Sequence, residues 1–320
     1  MYSTKLRFAL SSSIAAALAV FGCTSRQQRI RLIDHDNISA RNEVQVTRID
    51  CKPPPDRYSD ITLGADGIYW VKILKGELGK VDYLGKNETV LLDSLRSPCA
   101  ISFGGGYCFV AEAGTRENRN KDGRLLRFDP KSGQTKVLLE NLQLPSDIYA
   151  TPGGDVYYVE ARRSASYYGT GADQVCVYEG EIGKPRLITD RLPSPFSITM
   201  TADKKLLVGC VDGIFHDDKG NLHDQDFSLF EVDASTGRFK CISRRLPQIF
   251  SFTDGGNKRL YVNMYASAGK YVVGELDLQR GYVQVLSECE DAMSIAADTG
   301  GRLYCACIGE PTMARPVSQK

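Results

Sequence analysis

The sequence predicts an all-β fold, a six-bladed β-propeller with four antiparallel strands in each blade. One motif, a polar or small residue followed by an apolar anchor on an alternating strand, recurs six times at spacings between 40 and 54 residues. Repeats of this length, built from four short strands, are typical of propeller blades. The six anchors are Ile61, Ile101, Ile148, Ile198, Phe252 and Ile295.

Each repeat contains two β-hairpins. In the first copy, residues 66–70 form a glycine turn that leads into an aromatic strand, and residues 153–159 do the same in the third copy. Period-two alternation places the apolar residues on buried faces, and glycine allows the tight turns. A second strand pair follows, as in residues 123–139, where Gly133 lies in the turn. Each repeat therefore supplies four strands.

The two ends of the chain predict how the ring closes. The sixth inner hairpin ends near Cys307 and lacks an outer pair, whereas residues 29–33 and 44–49 are strand-like and precede the first repeat. We expect these N-terminal strands to complete the last blade, which would leave no free sheet end. The propeller is predicted to span residues 30–315, followed by a tail at 316–320.

The N-terminus has the pattern of an export signal. Lys5 and Arg7 precede the uncharged, apolar residues 8–21, a stretch shorter than the ~20 residues of a spanning helix. It ends at Gly22 and Cys23, a pair that resembles the lipobox of bacterial lipoproteins. The resemblance implies that residues 1–22 are removed, that Cys23 is acylated and that 23–29 form a linker. The alternative is an ordinary cleaved signal peptide with an incidental cysteine.

Charge and cysteine content limit the classes of binding partner and the cellular compartment that we expect for this protein. Forty basic residues against 39 acidic ones give a net charge of +1. This balance argues against a nucleic-acid partner, and we expect membrane contact through the lipid anchor only. Ten cysteines suit an exported protein, and they contain no Cys-x-x-Cys pair that would indicate structural zinc. We expect a protein of the bacterial cell envelope, facing the periplasm or the exterior.

The repeats resemble those of the YWTD, NHL and senescence-marker-protein (gluconolactonase) families of six-bladed propellers. Residues 69–72 (Tyr-Trp-Val-Lys) are similar to a YWTD unit, and residues 156–159 are a weaker match. The resemblance spans roughly residues 40–310. It implies the architecture but not the activity, because these folds include receptors, scaffolds and hydrolases.

Four acidic residues are candidates for a site at the mouth of the propeller. The residue before each anchor should point towards the central channel, which selects Asp60 and Asp147, and second-strand ends add Glu112 and Glu160. Resemblance to gluconolactonases implies a divalent metal here, and oxygen ligands suit Ca²⁺. The sequence departs from that family, because residues 58–60 replace its first Glu motif and no Pro-Asn-Gly unit occurs. Alternatively, both aspartates cap turns or accept backbone N–H groups.

Three insertions on the same side of the ring are candidate binding loops. Arginine combined with tyrosine is the composition favoured in protein-binding surfaces, and the loop with two histidines could hold an ion or be a solvated insertion. Ordinary long loops are the alternative. The candidate residues are Arg116, Arg162, Arg163, Tyr167, Tyr168, His216 and His223.

These patterns favour a binding or scaffold module over an enzyme. The chain has no Gly-x-Ser-x-Gly, phosphate-loop or His-Glu-x-x-His motif. We expect a protein or an envelope polymer to bind at the propeller rim. The alternative is a metal-dependent, lactonase-like hydrolase with its active site at the mouth near Asp60 and Asp147. A third possibility is a propeller that only spaces other components.

Overall fold

The chain is described here by a computed structural model. It describes residues 46–51, 58–115, 122–160, 173–212, 226–246, 249–256, 259–267, 270–277, 282–289, 292–298 and 302–308. Within these ranges the secondary structure consists of β-strands, arranged as five four-stranded sheets and one three-stranded sheet. No helix within these ranges has the length and apolar character that a membrane crossing requires.

The strands follow one another in the order of the sheets. A first strand, β1 (Val46–Cys51), precedes the complete blades. Blade 1 comprises β2 (Asp60–Leu63), β3 (Ile68–Lys72), β4 (Glu77–Val81) and β5 (Thr89–Leu92). Blade 2 comprises β6 (Pro98–Gly104), β7 (Tyr107–Glu112), β8 (Gly123–Phe128) and β9 (Thr135–Leu142). Blade 3 comprises β10 (Pro145–Ala150), β11 (Val156–Glu160), β12 (Gln174–Glu179) and β13 (Lys184–Thr189).

The second half of the ring repeats this plan. Blade 4 comprises β14 (Pro195–Met200), β15 (Leu206–Asp212), β16 (Asp226–Val232) and β17 (Phe239–Leu246). Blade 5 comprises β18 (Ile249–Asp254), β19 (Leu260–Ser267), β20 (Lys270–Asp277) and β21 (Tyr282–Cys289). The sixth sheet contains β22 (Ala292–Ala297), β23 (Leu303–Ile308) and β1. The prediction of four-stranded antiparallel blades is confirmed for the five complete sheets.

Burial explains why these segments form blades. The second strand of a blade is covered on both faces by neighbouring blades, and all five residues of β3 are buried. The outermost strand reaches solvent, so most residues of β9 are exposed or half-buried. Apolar side chains from adjacent sheets pack into shared cores around the ring. The sixth sheet shares one core with blade 5 and another with blade 1, so it packs between them.

The closing strand differs from the prediction of an antiparallel sixth blade. β1 pairs with β23 in parallel, with Val46 opposite Leu303 and Cys51 opposite Ile308. In the complete blades the fourth strand leads into the first strand of the next blade, and β1 leads in the same way into β2. That connection, rather than a hairpin to β23, sets the direction of β1. Residues 29–33, the other predicted closing strand, lie outside the described residues.

The topology gives the ring two different rims. First strands begin and second strands end at one rim, called here the mouth rim. The turns between first and second strands, and between third and fourth strands, lie at the opposite rim, called here the base rim. The connections between second and third strands therefore emerge at the mouth rim.

Candidate functional site

A ring of six side chains surrounds the central channel near the mouth rim. Each of these side chains belongs to the residue that immediately precedes an apolar anchor. In the five sheets other than blade 1, the first strand has a β-bulge immediately before this residue. A bulge redirects the side chains beside it, so the same position is presented in successive sheets. The ring residues are Asp60, Ala100, Asp147, Ser197, Ser251 and Ser294.

Asp60 joins three neighbouring sheets. Its Oδ1 accepts the hydroxyl of Ser294 at 2.5 Å and the backbone N–H of Ile61 at 2.9 Å. Its Oδ2 accepts the backbone N–H of Ile101 at 2.7 Å. Ser294 belongs to the sixth sheet and Ile101 to blade 2, so the carboxylate of blade 1 bridges both of its neighbours.

Asp147 makes the same kind of bridge between blades 3 and 4. Its Oδ2 accepts the hydroxyl of Ser197 and the backbone N–H of Ile198, both at 2.8 Å. Its Oδ1 accepts the N–H of Ile148 at 2.8 Å. The innermost strand of a blade has no strand partner on its channel side, and its N–H groups need an acceptor. The aspartates supply that acceptor, as one of the two sequence interpretations proposed.

A second row of bridging side chains lies further along the inner strands. The hydroxyl of Thr62 accepts the backbone N–H of Phe103 at 3.1 Å, and the hydroxyl of Ser102 accepts that of Ala150 at 2.8 Å. Sequence reasoning missed these two residues. The sequence did contain a signal for them, because each is a hydroxyl residue directly after an anchor. Strand alternation places such a residue on the face opposite the anchor, the face that also carries the ring residue.

Burial changes the acidity of both aspartates. Desolvation is the largest influence on Asp60 and raises its pKa to about 6, although hydrogen bonds from Ser294 and Ile101 oppose the rise. Desolvation also dominates at Asp147, where the negative charge of Asp60 adds to it and the pKa rises to about 7. Each carboxyl therefore carries a proton over a wider pH range than an exposed aspartate does.

Glu112 and Glu160 hold the chain at the entrance to blades 2 and 3. The fully buried carboxylate of Glu112 accepts Arg124 Nε at 2.5 Å and the backbone N–H of Arg96 at 2.7 Å. The carboxylate of Glu160 accepts the N–H of Gln143 at 3.1 Å. Arg96 and Gln143 occupy equivalent positions just before β6 and β10. Both glutamates thus fasten the connecting segment to the blade that follows it.

The described part of the mouth does not fit a divalent cation. Hydrogen bonds from protein N–H or O–H groups reach all four candidate carboxylates, those of Asp60, Asp147, Glu112 and Glu160. Asp60 and Asp147 each accept three such bonds, so few oxygen lone pairs remain for a metal. Among the described residues no three His, Cys, Asp or Glu side chains are grouped as metal ligands. The arrangement suits the joining of blades.

The predicted loop residues lie outside the described residues, as does Cys23. The loop residues concerned are Arg116, Arg162, Arg163, Tyr167, Tyr168, His216 and His223. The described strands nevertheless fix where the three loops attach. They are residues 113–122, 161–173 and 213–225, and each joins the second and third strands of blade 2, 3 or 4. All three therefore begin and end at the mouth rim.

The equivalent connections elsewhere are short. Blade 1 uses residues 73–76 and blade 5 uses 268–269. The first long loop is closed at its neck, because Asp122 Oδ2 accepts the hydroxyl of Thr115 at 2.8 Å and its Oδ1 accepts the N–H of Thr115 at 3.1 Å. Long connections are thus gathered on one side of the mouth rim.

Comparison with known proteins supports the fold. No protein-family model matches the chain, and no curated protein matches it significantly. A propeller in the crystal structure of a nidogen/laminin complex is similar over 79% of this chain and 84% of that one, with 17% identity and a TM-score of 0.54. A gluconolactonase from Xanthomonas campestris covers 78% of this chain and 83% of its own, with 16% identity and a TM-score of 0.57.

A third solved structure gives the same result. A putative gluconolactonase is similar over 76% of this chain and 81% of its own, with 12% identity and a TM-score of 0.55. These similarities support a β-propeller of the YWTD and gluconolactonase-like kind. At such identities the likeness is one of fold, and the function has to be argued from the site.

Proposed function

We propose that the protein is an exported, lipid-anchored, six-bladed β-propeller whose mouth rim binds a protein or an envelope polymer. The observation that carries the proposal is the uneven length of the connections at that rim. Blades 2, 3 and 4 carry the loops 113–122, 161–173 and 213–225, whereas blades 1 and 5 have connections of a few residues. Loops placed side by side on a rigid scaffold are the usual way in which such folds bind partners.

The contacts beneath the loops support a rigid platform. Asp60 and Asp147 connect the inner strands of neighbouring sheets, and Glu112 fastens the segment before blade 2. Because these groups are occupied by the protein itself, they stabilise the scaffold rather than contact a ligand. Preorganised supports of this kind keep the entropy cost of binding low.

Loop shortening tests the binding proposal. In one variant residues 161–173 are replaced by the short connection of blade 1, residues 73–76. A photoreactive side chain at Leu74, which is exposed in the mouth-rim connection of blade 1, then reports contact at the mouth rim in the membranes of the source cell. We expect discrete protein or polymer adducts with the native loops and their loss in the shortened variant. Unchanged adducts, or none with native loops, would overturn the proposal.

A matched control and a separate assay complete the experiment. Substitution of Lys131 and Lys184 by alanine removes two side chains at the base rim and should leave the adducts unchanged. Circular dichroism verifies that the shortened variant is folded. The mass of the Cys23 peptide tests acylation independently, since a lipid adds a fixed mass that an ordinary cleaved signal peptide does not leave.

The second candidate function is a lactonase-like hydrolase. One observation favours it, namely that Asp60 and Asp147 interact electrostatically beside the channel and that both pKa values are raised. Carboxyls titrating near neutrality can act as general acids or bases. Hydrolysis of a lactone panel, lost in Asp147→Asn while the fold persists, would replace the binding proposal by this one. We expect no such hydrolysis.

A further inference from the structure

An open groove at the base rim of blade 4 carries unbalanced positive charge. It has a volume of about 540 Å³ and lies between the β14–β15 turn and the β16–β17 turn. We call it the basic groove. Its lining includes Lys204, Lys205, Arg238, Lys240, Asp233 and Phe239.

The acidic residues near the groove are already engaged. Lys205 pairs with Glu231 at 3.3 Å and with Asp203 at 3.6 Å. Asp233 accepts the hydroxyl of Ser235 at 2.6 Å and the backbone N–H of Ser235 at 2.9 Å, and these bonds lower its pKa to about 2. The carboxylate of Asp233 is therefore held by residues of its own turn and forms no ion pair with the cations of the groove in the part of the chain that the structure describes.

Three cations remain available to a ligand. Lys204, Arg238 and Lys240 are exposed, and no ion pair joins them to an acidic group in the part of the chain that the structure describes. They surround one groove that has a half-exposed aromatic ring, Phe239, in its wall. Such a surface fits a ligand that presents negative charge together with apolar groups.

The backbone at Lys204 supports a role beyond the turn itself. Its φ is 63°, in the left-handed region, and its N–H donates to Thr201 O at 2.8 Å. A non-glycine residue there is less favourable by about 1 kcal/mol. The equivalent turn of blade 2 contains Gly105 and Gly106, which adopt positive φ without this cost. The lysine therefore occupies a position that the backbone alone would give to glycine.

The closing strand shows which rim the N-terminal region approaches. β1 begins at Val46, beside Leu303, and Leu303 directly follows the β22–β23 turn. That turn joins a first strand to a second strand, so it lies at the base rim together with the β14–β15 turn. β1 therefore begins at the rim that carries the basic groove.

We propose that the basic groove binds the headgroups of anionic phospholipids in the membrane to which Cys23 is anchored. The inference rests on the proposed lipid anchor and extends it, because the sequence alone predicted membrane contact through the lipid only. Basic residues are attracted to an anionic surface within a Debye length, and a lipid-anchored chain whose first described strand begins at the base rim favours the approach of that rim to the bilayer. The anchor sets the distance from the bilayer, and the cations set the orientation. The mouth rim then faces away from the membrane and towards its partner.

Photo-labelling of lipids by the full, acylated chain tests the proposal. The protein is reconstituted in vesicles of phosphatidylcholine alone or with added phosphatidylglycerol. An aromatic photoreactive side chain replaces Phe239 in the basic groove or, as a control, Leu74 at the mouth rim. We expect lipid adducts from position 239 that increase strongly with phosphatidylglycerol, and only background from position 74. Equal labelling from both positions would overturn the orientation.

Charge variants test the electrostatic part. Lys204→Gln, Arg238→Gln and Lys240→Gln together should lower the phosphatidylglycerol-dependent labelling about fivefold or more. The matched control, Lys86→Gln, Lys131→Gln and Lys184→Gln, removes the same charge at the base rim of blades 1 to 3 and should preserve the labelling. An equal loss in both variants would show a general charge effect and overturn the assignment to the groove.

Two further measurements separate the possible failures. Inorganic phosphate at the ionic strength of a chloride control should not abolish the labelling, and selective loss in phosphate would assign the groove to a soluble anion instead. Labelling in phosphatidylcholine equal to that with phosphatidylglycerol would contradict headgroup recognition.

The proposed function is tested by separate readouts. Acylation of Cys23 is read from its peptide mass, and mouth-rim partners are read from adducts in cell membranes. Failure of the proposed function is therefore distinguishable from failure of the basic groove.

Discussion

Asp60 accepts the backbone N–H of Ile101 at 2.7 Å, so a side chain of blade 1 completes the hydrogen bonding of blade 2. Asp147 repeats the arrangement with Ile198 in blade 4. Propeller blades meet mainly through apolar faces, which attract without fixing a direction. These bonds add direction to the contact between blades, and the residues concerned therefore affect both stability and its dependence on pH.

Stability should fall as the pH rises from about 4 to about 7. The folded pKa values of Asp60 and Asp147, about 6 and about 7, lie above the ordinary 3.8, so the folded state binds more protons than the unfolded state in this interval. The free energy of unfolding then decreases with pH. Urea unfolding at several pH values should show a steeper decline for the native chain than for Asp147→Asn. Parallel declines would mean that Asp147 is not buried as described.

Two serines of the channel ring should respond differently to truncation. Ser197 donates to Asp147 at 2.8 Å, so Ser197→Ala should cost about 1–2 kcal/mol and raise the pKa of Asp147 further. Ser251 occupies the same ring position, but its buried Oγ has no hydrogen-bond partner among the described residues. Ser251→Ala should be neutral or stabilising. Chemical denaturation of both variants measures the difference, and equal costs would refute it.

Glu112→Gln should be strongly destabilising. The substitution removes the charge that balances Arg124 in a fully buried position and weakens the bond to the N–H of Arg96. Removal of one partner from a buried ion pair costs about 3 kcal/mol or more. Thermal unfolding provides the measurement. Glu140→Gln, on the exposed outer strand of the same blade, is the matched control and should change the melting temperature little.

Gly79→Ala should disrupt blade 1. A Cβ at this position would lie 2.1 Å from the Trp70 ring and 2.6 Å from the carbonyl oxygen of Thr89, so the ring or the strand has to move. Overpacking of this kind costs about 1–3 kcal/mol. Gly153→Ala is the control, since its nearest neighbour would be 3.7 Å away. Tryptophan fluorescence during unfolding reports both effects at Trp70, and similar stability of the two variants would contradict the packing.

Calcium should not stabilise the mouth of the propeller. Asp60 and Asp147 already accept three hydrogen bonds each, and a bound ion would have to displace some of them. A ligand that binds only the folded state raises the melting temperature by an amount that grows with the logarithm of its free concentration over Kd. We expect the same melting temperature with Ca²⁺ and with a chelator. A calcium-dependent increase that disappears in Asp147→Asn would restore the metal-dependent hydrolase.

Much of the scaffold was determined by local sequence. Alternation around anchors such as Ile148, and glycine turns such as the one at Gly133, depend on residues a few positions apart, and they predicted the strands and their four-strand grouping. The surplus N-terminal segment 44–49 likewise indicated a closing strand beside β23. Short-range patterns are readable because side chains alternate with a fixed period along a strand.

Only the tertiary structure determined which partners the candidate carboxylates of the mouth contact. The sequence left open whether Asp60 and Asp147 meet a cation or backbone N–H groups, and the answer depends on Ser294, which lies 234 positions from Asp60. The parallel direction of β1 and the basic groove of blade 4 also depend on distant segments, and a net charge of +1 conceals that groove. The period of a strand determines on which face of the sheet a side chain lies. Its hydrogen-bond partners are determined only when folding brings strands that are distant in sequence together.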